Sequence, residues 1–171
     1  KPGATTHFSW RNNNISTYKV FEHQHLIEIC RNLTAVLGQS APYDASLCSA
    51  PPQAEPRFSI NFTPMRGDFA RGIFANVTLR TESGIGELDE LFRAFYREAA
   101  FTFVSGRPVD LKDVVNTNKA VIHLEKHGDH LVVSSVIDNL LKGASGQAVQ
   151  NMNLMFGLPE KTGLNLKASA F

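Results

Sequence analysis

KAVIHLEKHGDHLVVSSVIDN, residues 119–139, is the stretch on which the fold reading turns. It reads as two strands around Gly128-Asp129, a β-hairpin, because an Asp/Gly pair between apolar runs supplies the backbone freedom that a two-residue turn requires. On its N-terminal side FTFVS is a further short strand. Before that, IGELDELFRAFYREAA (85–100) is an amphipathic helix with Leu88, Leu91, Phe92 and Phe95 on one face. RFSINFTP (57–64) and RGIFANVTLRT (71–81) add two strands, and ISTYKVF (15–21) another. Leu26, Ile29, Cys30, Leu33, Val36 and Leu37 recur at helical spacing, with Gly38 as a stop. A last helix spans about 144–156 and presents Val149, Met152 and Phe156. Residues 39–56, with prolines at 42, 51, 52 and 56, form a surface loop. Strands in antiparallel runs with helices between them indicate an α+β fold: one antiparallel or mixed sheet with helices on one face.

The chain has 171 residues, 43% of them apolar, enough for one sizeable core, so a single domain over 1–171 is expected. Its 17 basic and 16 acidic side chains leave a net charge of +1 with no long basic stripe, which argues against nucleic acid as a partner. No apolar run approaches the roughly 18 residues that span a bilayer, so no membrane association is expected. The start, KPGATTHFSW, has no apolar signal core and begins with Lys1, and the expectation is a chain that begins inside a longer protein. Cys30 and Cys48 make no C-x-x-C pair, which argues against a structural zinc site or a disulfide framework. The triplet Arg66-Gly67-Asp68 reads as a chance match without an extracellular context.

Three stretches carry candidate chemistry. In FEHQHLIEI (21–29), His23 and His25 stand where strand gives way to helix, with Glu28 following. The spacing is not that of a helical zinc site, so no metal is expected. The positive end of a helix disfavours imidazolium, which suits a neutral general base; an ordinary pair of polar histidines at a helix start is an equal alternative from the motif alone. In IDNLLKGASGQAVQNMN (137–153), a strand ends, two glycines bracket a turn, and Lys142 stands just before a helix. Such a helix start can hold an anion or admit a cofactor, although it is neither a P-loop nor a G-x-G-x-x-G fingerprint. In NFTPMRGDFARGIFANV (61–77), Arg71 opens a strand after an irregular loop and can fork onto a carboxylate or phosphate.

Taken in order, YKVFEHQHLIEI, FTPMRGDFARGI and IDNLLKGASGQAVQNMNLMFGLPEKTGL resemble the catalytic-domain half of the N-acetyl-gamma-glutamyl-phosphate reductases, from about Ser9 to Leu164. The last stretch is long and specific, and the first two support it. The resemblance implies a domain like the C-terminal domain of glyceraldehyde-3-phosphate dehydrogenase, carrying catalytic and subunit contacts beside a Rossmann half. It implies a cytoplasmic oxidoreductase of arginine biosynthesis, a semialdehyde dehydrogenase relative that uses NADPH to reduce an acyl phosphate to an aldehyde. His25 matches the second histidine of the family's H-x-H-x-x-E-I run and becomes the candidate base, with His23 lining the same cleft as a substrate neighbour. Arg71 matches the R-G-I arginine, a substrate anchor. Asn139, Lys142, Gly143 and Gln147 match the run that closes against the NADP nucleotide.

Departures accompany the match. Leu26-Ile27 stand where the family often has Thr-Pro, and Asn116-Thr117-Asn118 where it has Gly-Ser-Asn. The family's nucleophilic cysteine, in an N-P-G-C-like turn, has no counterpart here, and neither does the Rossmann half. Cys30 is expected to be an inert thiol on a helix face. The resemblance therefore implies that the chain alone is inactive, that the N-terminal Rossmann half is its partner, and that it forms a homo-oligomer. The alternatives are a non-catalytic assembly or binding module of the same fold and a small metal-binding protein.

Overall fold

The hairpin forms as expected. In the computed structural model, which describes residues 3, 7–36 and 60–168, β5 (Ala120–His127) and β6 (His130–Ile137) pair antiparallel from Ala120↔Ile137 to His127↔His130. Gly128 turns the corner at φ +60°, a conformation that an L side chain rarely adopts. On the other edge of β6 lies β3 (Ile73–Arg80), antiparallel from Ile73↔Ile137 to Arg80↔His130. β4 (Thr102–Ser105) pairs with β5 in parallel. The sheet is mixed, in the order β3-β6-β5-β4.

Its two faces are covered differently. The α-helix Ile85–Phe95 lays Leu88 against Ile122, Leu124 and Leu131, with Phe92, Tyr96 and Val133 closing the cluster. On the opposite pleat, Val136 packs with Val109 and Val114 from the segment around a short 3-10 turn, Leu111–Asp113, flanked by Leu111 of that turn and Val121 of β5. Strand periodicity of two makes this division possible: Val121↔Val136 look one way, Leu124↔Val133 the other. β3 at the edge is left exposed along its whole length, with Ile73, Phe74, Val77 and Leu79 in the open.

The last helix departs from expectation at its start. Residues Leu141–Ser145 form a π turn, in which Gly143 N–H donates to Asp138 C=O at 2.9 Å and Ser145 N–H to Leu140 C=O at 3.0 Å. The α-helix Gly146–Met155 continues directly from it. Lys142 therefore lies inside helical backbone rather than ahead of it.

Contacts divide the chain into two compact units, Lys1–Asp68 and Phe69–Phe171, the sheet belonging to the second. The first holds a four-residue helix, Phe8–Arg11, which the periodicity did not show. It also holds a two-stranded ribbon, Ser16–Thr17 against Met65–Arg66, and the helix Gln24–Val36. The expected strand at 15–21 shrinks to two residues because Lys19 and Phe21 take positive φ (46° and 58°), which breaks an extended run. The expected strand at 57–64 is not a strand at residues 60–64; its partner role falls to Met65–Arg66, and residues 57–59 lie outside the described residues, as do the 39–56 loop and Leu37. Of the helical stripe, Leu26 and Cys30 are buried while Leu33 and Val36 are exposed. Cys30 is disulfide-bonded, which corrects the expectation of a free thiol. Spacing along a chain speaks to metal chelation, whereas a disulfide needs only two Cβ atoms brought within reach by the fold.

Candidate functional site

The histidine pair sits at the start of the helix Gln24–Val36, with His23 as the residue just before it. His23 Nδ1 accepts the N–H of His25 at 3.2 Å, and its C=O accepts the N–H of Leu26 at 2.9 Å. His23 is thus the helix cap, in the place where serine or aspartate more often stands. An accepting Nδ1 carries no proton, so the ring is neutral. Desolvation, then the charges of His25, Lys19 and Arg66, push the His23 pKa below its ordinary value, against a smaller opposing pull from Glu28. Its ring is held edge-on by Tyr18 (5.3 Å) and Phe62 (5.7 Å). The His25 ring stands 4.5 Å from that of His23 and is exposed. A capped helix thus presents an exposed imidazole beside a neutral, aromatic-braced one.

In the second unit the candidate residues converge on Asp138, which the sequence reading did not single out. Asp138 is fully buried (0% exposed). Its Oδ1 accepts the N–H groups of Leu140 (2.8 Å) and Leu141 (2.9 Å), and its Oδ2 accepts that of Asn116 (2.7 Å). Arg71 Nη2 straddles both oxygens at 3.0 and 2.8 Å. Burial alone would push this carboxyl up; the hydrogen bonds from Asn116, Arg71, Leu140 and Leu141 outweigh it and hold the pKa below the usual carboxylate range. Next to it, Asn139 Oδ1 accepts the N–H of Gly72 at 2.7 Å. Gly72 has φ +113°, and a Cβ there would lie 2.6 Å from Leu111 Cδ2, so the residue after Arg71 has to be glycine. Asn116 has φ +64°, the left-handed conformation that asparagine and glycine tolerate, which accounts for its standing where the resembled family has glycine.

The lysine expected to hold an anion is occupied. Lys142 Nζ donates to Gln147 Oε1 (2.7 Å) and Gln150 Oε1 (2.8 Å) and lies 5.8 Å from the centre of the Phe101 ring. Desolvation lowers its pKa, with Glu160 pulling the other way. Gln150 also accepts from Asn118 Nδ2 and donates to Glu160, and Gln147 donates to Asn151. The helix start that was to bind an anion is likewise filled from within, since the N–H groups of Leu140 and Leu141 are satisfied by Asp138. Gly143 is exposed, and a Cβ there would meet Asp138 O at an ordinary 3.5 Å. Gly146 is the glycine the packing demands: a Cβ there would fall 2.3 Å from Asn118 Oδ1 and 2.9 Å from Leu141 O.

Arg71 has one further feature. Its Nε is buried and has no hydrogen-bond partner, and the residue lines a cavity of about 720 Å³ with Phe69, Phe74, Leu111, Lys112 and Val115. The structure thus brings Arg71, Asn139, Lys142, Gly143 and Gln147 into one region of the second unit, and His23 and His25 into one region of the first. Among the described residues no group of three or more His, Cys, Asp or Glu side chains is arranged to hold a metal ion. Asp68, the last residue of the adhesion-like triplet, accepts the N–H of Asn13 at 2.7 Å.

Comparison with known proteins agrees with this architecture. The family model described as semialdehyde dehydrogenase, dimerisation domain, matches residues 1–139. The N-acetyl-gamma-glutamyl-phosphate reductase of Bacteroides fragilis strain YCH46 is 52% identical over 171 residues, covering 100% of this chain and 48% of the relative. That of Azobacteroides pseudotrichonymphae is 53% identical with the same coverage. That of Flavobacterium johnsoniae is 47% identical over 167 residues, 98% of this chain and 46% of the relative. The chain spans about half the length of the curated relatives it matches.

Proposed function

The chain belongs to the semialdehyde dehydrogenase dimerisation-domain family, and from that membership we propose that it is the catalytic and dimerisation part of an N-acetyl-gamma-glutamyl-phosphate reductase. The observation that carries the reading is the match of the whole chain, at 52% identity over 171 residues, to a relative of that name. The reaction is reduction of an acyl phosphate to N-acetylglutamate semialdehyde, a step of arginine biosynthesis in the cytoplasm. A nucleotide half and a nucleophilic cysteine are assigned to the remainder of the length that the relatives have, because Cys30 is buried on the helix Gln24–Val36 rather than in an N-P-G-C-like turn. In a reducing cytoplasm the Cys30 disulfide would be opened by the thiol pool, so alkylation of Cys30 in freshly lysed cells tests the compartment.

His25 is assigned the proton work: taking the proton of the nucleophilic thiol, then moving a proton to or from the substrate oxygen. Its exposure and its neutral, capping neighbour suit a group that must gain and lose a proton. Arg71 is assigned the anionic end of the substrate, as a partly exposed guanidinium on the wall of the cavity. When bound, NADPH supplies the hydride. The residues matched to the nucleotide fit it through backbone: Gly143 and Ala144 are exposed and present little side chain, while Asn139, Lys142 and Gln147 hold the turn. The exposed apolar face of β3 supports a homo-oligomer closed by a second copy.

The test is an assay of the complete polypeptide with N-acetylglutamate semialdehyde, phosphate and NADP, followed at the NADPH absorbance. Turnover is expected there and not from the 171-residue chain alone. Absence of turnover in the complete polypeptide would overturn the assignment. Sedimentation giving monomer at micromolar concentration would overturn the oligomer.

A further inference from the structure

Three segments far apart in the chain meet on one carboxylate. Asp138 takes the Arg71 guanidinium from just before β3, the Asn116 N–H from the loop before β5, and the Leu140 and Leu141 N–H groups from the start of the π turn. An asparagine Oδ1 could accept from Leu140 and Leu141 equally well. The second carboxylate oxygen is needed for the Asn116 N–H, and the negative charge for Arg71. The contact is also one-sided. A single nitrogen, Nη2, straddles both carboxylate oxygens, and Arg71, its side chain 29% exposed, lines the cavity bordered by Phe69, Phe74, Leu111 and Val115.

We propose that Asp138 is a positioning residue for the substrate anchor: it pins Arg71 by Nη2 so that the rest of the guanidinium is held at the cavity wall for the carboxylate or phosphate of the bound acyl phosphate. The proposal rests on the reading of Arg71 as that anchor. A flexible arginine at a strand start loses rotamer freedom on capturing an anion; one already pinned by a buried carboxylate has lost it during folding. The same hydrogen bonds fix the π turn that carries Lys142 and Gly143 to the start of β3, since Asn139 Oδ1 takes the Gly72 N–H beside the ion pair. Asp138 thus sets the relative placement of the substrate-anchoring and nucleotide-facing segments of this unit.

The experiment uses the complete polypeptide with Asp138→Asn, Arg71→Ala and the double variant, assayed for KM and kcat, together with 15N-arginine NMR. In Asp138→Asn the amide would occupy the place of an oxygen that accepts from Arg71 and Asn116, so the arginine is released. The expected result is a KM for the acyl phosphate raised about 10-fold or more with kcat changed by less than about threefold. Adding Asp138→Asn to Arg71→Ala should raise KM no further, the signature of two residues acting as one. A KM that is unchanged or lower in Asp138→Asn, or an increase that persists in the Arg71→Ala background, would overturn the proposal. Arg71→Ala alone leaving KM unaltered would instead remove the anchor reading. The NMR separates the two and needs no variant to fold: the wild-type Arg71 guanidinium, assigned through its own side-chain and backbone connectivities, should show hindered rotation and slow exchange. A freely averaging Arg71 signal would show that Asp138 does not pin it.

Discussion

The two candidate regions are built on opposite plans. At the start of the helix Gln24–Val36, His25 is exposed and its placement depends on a single cap from His23 and on ring-edge contacts. Around Asp138 the restraints are redundant: a fully buried carboxylate, one guanidinium, backbone donors from two other segments, and an amide latch next door. The difference suits the work proposed for each. A proton carrier has to reach solvent or substrate in both protonation states, so burying it in hydrogen bonds would freeze one of them. A charge that orients another charge works best when it cannot move or titrate, and surrounding donors hold Asp138 ionised.

That contrast can be broken by substitution in the complete polypeptide. The largest expected effect is at the exposed imidazole: His25→Asn should lower kcat about 100-fold or more, within the range for loss of a general base. His23→Asn should act mainly on binding and on helix stability. If the two variants exchange these phenotypes in steady-state assays, the roles of cap and base are reversed. Next comes packing in the second region. Gly146→Ala should destabilise by about 1–3 kcal/mol, because its Cβ has nowhere to go beside Asn118 and Leu141. Gly143→Ala, whose Cβ would meet only ordinary van der Waals contacts, should cost less than about 1 kcal/mol. Urea midpoints with equal effects would show that the turn relaxes more freely than its hydrogen bonds suggest.

The smallest effect concerns pH. The folded His23 pKa is lowered, so as pH falls below about 6.5 the unfolded chain takes up its proton first. Stability is therefore greatest above that pH and is lost as pH drops towards the lower folded pKa. A melting temperature that falls between pH 7 and pH 5, with a shallower fall in His23→Asn, is the expected pattern. An identical slope in both proteins would mean that the cap does not titrate as a cap.

The second unit was far more legible in the sequence than the first, for physical reasons. Its hairpin and the helix Ile85–Phe95 are local patterns: a Gly-Asp turn, and Leu88 and Phe92 four apart on one face. The ribbon at Ser16–Thr17 is held by tertiary pairing with Met65–Arg66, and positive-φ residues at 19 and 21 cut it short, which no apolar pattern announces. His23 and His25 were visible as a pair, yet the cap that separates their roles appears only in the backbone. Asp138 is overshadowed in the sequence by the lysine and glycines after it, residue types that point more directly to anion binding. An acid ending an apolar strand, two and three residues ahead of the donors it caps, is a helix-start signal that was there to be read. The ion pair to Arg71 was not, since its partners lie 67 residues apart. The π turn also escaped, because one extra residue in a helical turn leaves no composition trace.

The sheet order carries a consequence for how the molecule is made. β5 and β6 meet across two residues, whereas β3 reaches β6 only after α-helix Ile85–Phe95, β4 and β5 have been threaded between them. Closing the larger loop costs about 3 kcal/mol more chain entropy than closing the hairpin. Contacts between distant parts of the chain are correspondingly late and slow. Arg71 precedes β3 and Asp138 follows β6, so their pairing brackets the entire sheet. A molecule in which this pair has formed has closed β3 onto β6, which makes the Arg71 guanidinium signal a built-in record of whether that long-range pairing is complete.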